Sequence, residues 1–108
     1  MTEPTYICAS SDLTDDTSRG YRLEAVNLLL VRKKGQVYAY RNLCPHVAIP
    51  LEWREHDFLT ADTSLIQCAN HGALFTIEDG LCISGPCNGQ SLIPIAVTER
   101  DGGIYLKP

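Results

Sequence analysis

Two short segments carry the side chains best suited to binding a metal: Cys44-Pro45-His46 and Cys68-Ala69-Asn70-His71-Gly72. Each offers a Cys before a His, and 21 residues separate His46 from Cys68. Thiolate and imidazole are the ligands that iron and zinc prefer. Pro45 presets φ in the first segment, and Gly72 frees the backbone immediately after the second His. A lone Cys is usually a small buried residue and a lone His a surface or core one, but two similar pairs change that balance. Zinc competes, because two Cys and two His complete a tetrahedral site. Zinc-finger spacing, however, groups the Cys together and the His together. One of each per segment suits a binuclear iron–sulfur cluster, with both thiolates on one iron and both imidazoles on the other.

Such segments must be held by strands, because the chain reads as short β elements broken by turns. Strands are expected at 5–9, 23–32, 36–42, 65–67, 73–77, 81–83, 93–99 and 104–107, with 12–20 as a polar loop. In 36–42, Val37, Ala39 and Arg41 alternate with Tyr38, Tyr40 and Asn42, which is the period of a strand. Lys33-Lys34-Gly35, Glu78-Asp79-Gly80 and Asp101-Gly102-Gly103 supply tight turns. No helical periodicity is sustained, and 53–59 has room for one helical turn at most. An all-β sandwich or barrel of short antiparallel strands follows.

Composition narrows the class. The 108 residues suit a single domain, 1–108, and 44% hydrophobic content is that of a globular protein. No apolar run approaches the roughly 20 residues of a membrane helix. The first residues lack the basic start and apolar stretch of a secretion signal, so a cytoplasmic protein is expected. Net charge is −4. The basic triplet Arg32-Lys33-Lys34 reads as a solvated turn and not as a nucleic-acid surface. Five cysteines, an odd number, point to metal ligands or buried thiols instead of a disulfide framework. Cys8, Cys82 and Cys87 read as small buried residues, although Cys82 and Cys87 could pair or steady the loop around Gly85-Pro86. His56 reads as exposed, and Trp53 and Phe58 as anchors of the connection between the ligand segments.

With both Cys/His pairs in place, the chain resembles the Rieske ferredoxin family. The resemblance rests on Cys44-Pro45-His46, Cys68 to Gly72, Leu51, Phe75, Gly80, Gly85-Pro86 and the closing pattern at 92–97, Ile104 and Leu106. It covers roughly residues 5–107. It implies an all-β Rieske fold: an antiparallel sandwich with a small cluster-binding subdomain at about 43–87. It also implies one [2Fe–2S] cluster, with Cys44 and Cys68 on a buried inner iron and His46 and His71 on an outer iron near the surface.

The implied function is that of a soluble electron carrier, taking electrons from a flavoprotein reductase and passing them to a terminal oxygenase. An oxygenase itself is not expected, since its mononuclear iron needs a second, larger domain. A small subunit of a nitrite reductase-like enzyme and a zinc-stabilised interaction module are the alternatives. Relative to high-potential respiratory members, the chain has Ile49 and Asn70 where they place a loop-clamping disulfide. It has Ala73 and Phe75 where they place hydroxyls that donate to sulfur. Fewer donors to sulfur mean a lower potential, so a low-potential carrier is expected.

Overall fold

The computed structural model describes residues 4–24, 26–43, 45, 51, 56–68, 72–85, 87 and 89–107. Among the described residues nine strands run in the order β1 (Thr5–Ala9), β2 (Thr17–Arg22), β3 (Asn27–Lys33), β4 (Gln36–Arg41), β5 (Leu65–Gln67), β6 (Leu74–Thr76), β7 (Cys82–Ser84), β8 (Val97–Arg100) and β9 (Gly103–Leu106). A 3-10 turn, Ser10–Asp12, follows β1. Pairing is antiparallel throughout and builds three sheets, ordered β1-β9-β8, β2-β3-β4 and β5-β6-β7. Among the described residues no helix is long and apolar enough to cross a membrane.

Strand β3 organises the layers. Its side chains alternate across the sheet, and both faces are apolar. Leu28 and Leu30 enter a core with Ile7, Cys8, Leu13, Ala39 and Ile104. Leu29 and Val31 enter the other, with Tyr40, Phe58, Ile66 and Phe75. Strand β4 repeats the division, with Ala39 in one core and Tyr40 in the other. The sheet β2-β3-β4 therefore serves both the β1-β9-β8 sheet and the small β5-β6-β7 sheet.

The β3–β4 and β8–β9 hairpins close on paired left-handed residues, Lys34 and Gly35 at φ 51 and 79, and Asp101 and Gly102 at φ 50 and 76. This is the two-residue turn that matches strand twist. The basic triplet is only partly the solvated turn expected. Arg32 donates to both carboxylate oxygens of Glu99 and to the Leu13 carbonyl, tying β3 to β8, and Lys33 pairs with Asp16 at 3.0 Å.

Three strand expectations are corrected. The polar stretch 12–20 contains the start of β2, which pairs with β3 from Thr17↔Arg32 to Arg22↔Asn27. Its outer edge is covered by the segment at 56–58. The Ser18 hydroxyl donates to the His56 carbonyl and accepts from Phe58 N–H, while Gly20 N–H donates to His56 Nδ1 at 2.9 Å. His56 is thus half-buried and holds an edge strand, not an exposed side chain. The strand expected from 23 begins at Asn27, because Leu23 N–H bonds to Val26 O and turns the chain. The strand expected from 93 begins at Val97. Before it, the chain runs beside β4 through Ile93 O and Ile95 N–H, and Pro94 has no donor with which to extend a ladder.

Tyr40 links the central sheet to the small one. Its hydroxyl donates to Ile77 O at 2.6 Å. Burial, aided by the charges of Asp79 and Glu78, pushes its pKa up from 10.0 to about 12. The stability that depends on neutral Tyr40 is complete below pH about 10 and is lost as pH rises through about 12. Replacing Tyr40→Phe should cost about 1 kcal/mol by urea unfolding at neutral pH, since the Ile77 carbonyl loses its partner. The variant should also lose less stability than the parent on going to alkaline pH. An unchanged midpoint and alkaline profile would contradict this role.

Candidate metal centre

The second candidate segment lies between β5 and β6, and its described ends are hydrogen-bonded to each other. Cys68 N–H donates to Ala73 O at 2.8 Å, and Gly72 N–H donates to Cys68 O at 2.9 Å. The flanking pairs Gln67↔Leu74 and Ile66↔Phe75 fix the register. Gly72 sits at φ 66, the left-handed conformation expected directly after the second His. Cys68 is fully buried and shares its core with Leu51, Ala73 and Phe75. An uncompensated thiolate is costly in such surroundings, whereas a metal ion compensates its charge. Among the candidate ligands, Cys68 lies within the described residues and Cys44, His46 and His71 lie outside them. Among the described residues no group of three or more His, Cys, Asp or Glu side chains comes together. Ile49, Asn70 and Trp53 also lie outside the described residues, while Phe58 is fully buried as an anchor should be.

The first segment is closed by a residue that periodicity had assigned only to the end of a strand. Asn42 is 5% exposed, and its Oδ1 accepts the N–H of buried Leu51 at 2.8 Å. Its own N–H donates to Asn27 O. One side chain therefore joins the two ends of the segment bearing Cys44 and His46. Asn at the end of a strand, where side-chain bonds to backbone start a turn, was the available signal.

A third loop backs the second. Gly85 lies so close to Ala73 that a Cβ there would stand 2.8 Å from the Ala73 Cα. Phe75 pairs with Cys82 across β6 and β7. Cys82 and Cys87 are buried in the same core as Cys68. Three loop bases thus meet on one apolar core, and a buried thiol at their junction fits an iron–sulfur group.

Comparison with known proteins places the chain in a family. Residues 3–99 match the Rieske [2Fe-2S] domain. The chain belongs to the Rieske [2Fe–2S] domain family. This Rieske chain is 31% identical over 104 residues to Ferredoxin CarAc of Metapseudomonas resinovorans, covering 93% of itself and 89% of that protein. It is 34% identical over 82 residues to the ferredoxin component of an alkene monooxygenase system from Xanthobacter autotrophicus, covering 76% of itself and 63% of that relative. A chain from the complex of reduced oxygenase and oxidised ferredoxin in carbazole 1,9a-dioxygenase superposes with a TM-score of 0.75 at 28% identity. That superposition covers 96% of the Rieske chain and 92% of the other. The all-β Rieske fold expected from the motifs is the fold observed.

The Asn42 bond carries its own expectation. Asn42→Ala strands the buried Leu51 N–H and should cost on the order of 1–3 kcal/mol in urea unfolding. A midpoint equal to the parent's would show that the segment closes without it.

Proposed function

We propose that this chain is a Rieske ferredoxin that carries single electrons from a flavoprotein reductase to an oxygenase or similar redox enzyme. One [2Fe–2S] cluster would be held by Cys44 and Cys68 on one iron and by His46 and His71 on the other. The observation that carries this reading is the buried Cys68 at the base of a closed turn, in a chain aligned over nearly its full length with Ferredoxin CarAc. The cluster-binding part is placed at about residues 43–87, within a single domain of 1–108.

When bound, the cluster supplies reversible one-electron chemistry, at potentials from about −150 to +300 mV across the Rieske class. The protein's own residues set the terms. Cys68 anchors from the apolar core, where Ile66, Phe75 and Leu51 keep water away. The Cys68–Ala73 hydrogen bond ties together the ends of the segment that contains His71, and the Asn42–Leu51 bond ties together the ends of the segment that contains His46. Neutral imidazoles in place of two thiolates leave the site less negative, so it accepts an electron more readily than an all-Cys site at about −400 mV. Ala73 and Phe75 are fully buried and carry no hydroxyl to donate to sulfur, which holds the potential down within the Rieske range. No catalytic residue is required: the chain hands on an electron and leaves substrate chemistry to its partner.

Protein-film voltammetry tests this directly. The potential should lie below about +100 mV, in the lower part of the Rieske window. Ala73→Ser, which adds a donor beside the second ligand turn, should raise it. A potential above about +100 mV would overturn the low-potential reading, and the absence of a reversible one-electron wave would overturn the assignment itself.

A further inference from the structure

Cys82 and Cys87 lie outside the proposed ligand set, yet their sulfurs are 2.8 Å apart. That is well inside the van der Waals contact of two sulfurs and about 0.75 Å longer than a disulfide bond of about 2.05 Å. The two thiols form a directed chain. Cys87 S–H donates to the Cys82 sulfur, and Cys82 S–H donates to the Ser84 carbonyl at 3.3 Å. The backbone holds them in place: Cys82 N–H bonds to Gln90 O, Gly89 N–H to Cys82 O, and Gln90 N–H to Cys87 O. Both residues are only 1% exposed, but Ile83, Ser84, Gly85, Gly89 and Gln90 around them face solvent. Burial of both sulfurs beside exposed chain favours a small oxidant over a bulky one.

We propose that Cys82 and Cys87 are a dithiol that a hydroperoxide converts to an intramolecular disulfide. In the first step the Cys82 thiol gives up its proton and its sulfur attacks the peroxide. The O–O bond breaks, leaving Cys82 as a sulfenic acid and releasing water from hydrogen peroxide, or an alcohol from an organic hydroperoxide. In the second step the Cys87 sulfur attacks the Cys82 sulfur. The S–S bond forms, the S–O bond breaks, and the departing hydroxide takes the Cys87 proton to leave as water. Two thiols are oxidised by two electrons and one hydroperoxide is reduced by two. The bond closes the loop that carries Gly85, whose backbone rests on Ala73 beside the second ligand turn. Oxidation would therefore staple the loop that backs Ala73, the hydrogen-bond partner of Cys68.

The test uses the holoprotein, reduced and then treated with stoichiometric hydrogen peroxide. It is then denatured, alkylated and mapped by mass spectrometry after digestion. The peptide spanning positions 82 and 87 should be two hydrogens lighter and lack alkyl groups at both, and a dithiol reductant should restore both sites to alkylation. Cys87→Ser should instead leave Cys82 on the sulfenic–sulfinic path. The proposal is overturned if both thiols stay alkylatable. It is equally overturned if the parent accumulates sulfinic or sulfonic acid at either position, or if the disulfide formed joins Cys44 to Cys68.

Discussion

Everything in this molecule depends on β3 being buried on both faces. Leu28 and Leu30 face one core and Leu29 and Val31 the other, and all four are fully buried. A strand apolar on both sides forces its sheet into the middle of the fold, so the remaining strands must cover it from two directions. One cover is β1-β9-β8, which joins the chain's two ends. The other is the small β5-β6-β7 sheet, whose turns carry the second ligand segment and the dithiol loop. The proposed metal centre thus rests on a β3 face that supplies none of its proposed ligands.

Polar groups then fix what apolar packing leaves loose. The Tyr40 hydroxyl holds the small sheet to the central one, and the Asn42 amide joins the ends of the first ligand segment. His56 and Ser18 seal the open edge of β2. Each is a single side chain bonded to backbone, across nine residues for Asn42 and 36 to 38 for the others. Such bonds specify position more than they add stability, since each contributes about 1 kcal/mol net.

Much of this was legible beforehand, for identifiable reasons. Strand β5 was expected over 65–67, where it is found, because Leu65-Ile66-Gln67 is a short apolar run ending at Cys68. Of the three expected turns, two close on the left-handed pairs Lys34-Gly35 and Asp101-Gly102, and Gly80 in the third is left-handed as well. Strand β2 was illegible because Thr17, Ser18, Arg19 and Gly20 have the composition of a loop. They become a strand only by pairing with β3, an interaction no local window contains. The role of His56 is hidden from a local window for the same reason, since its partner Gly20 N–H lies far back in the chain. The proposed ligand pairs stand out in the sequence because Cys and His together are rare; of the four, only Cys68 lies within the described residues. Asn42 was overlooked because an Asn gains meaning only when the acceptor it supplies is seen.

The central claim is that two imidazoles and two thiolates share one binuclear iron site. Pulsed EPR of the reduced protein, with histidine labelled by nitrogen-15, measures that most directly. The account predicts a reduced [2Fe–2S] signal coupled to two histidine nitrogens, both lost when His46 and His71 are replaced. An EPR-silent protein holding stoichiometric zinc, or a cluster signal with no histidine coupling, would contradict it.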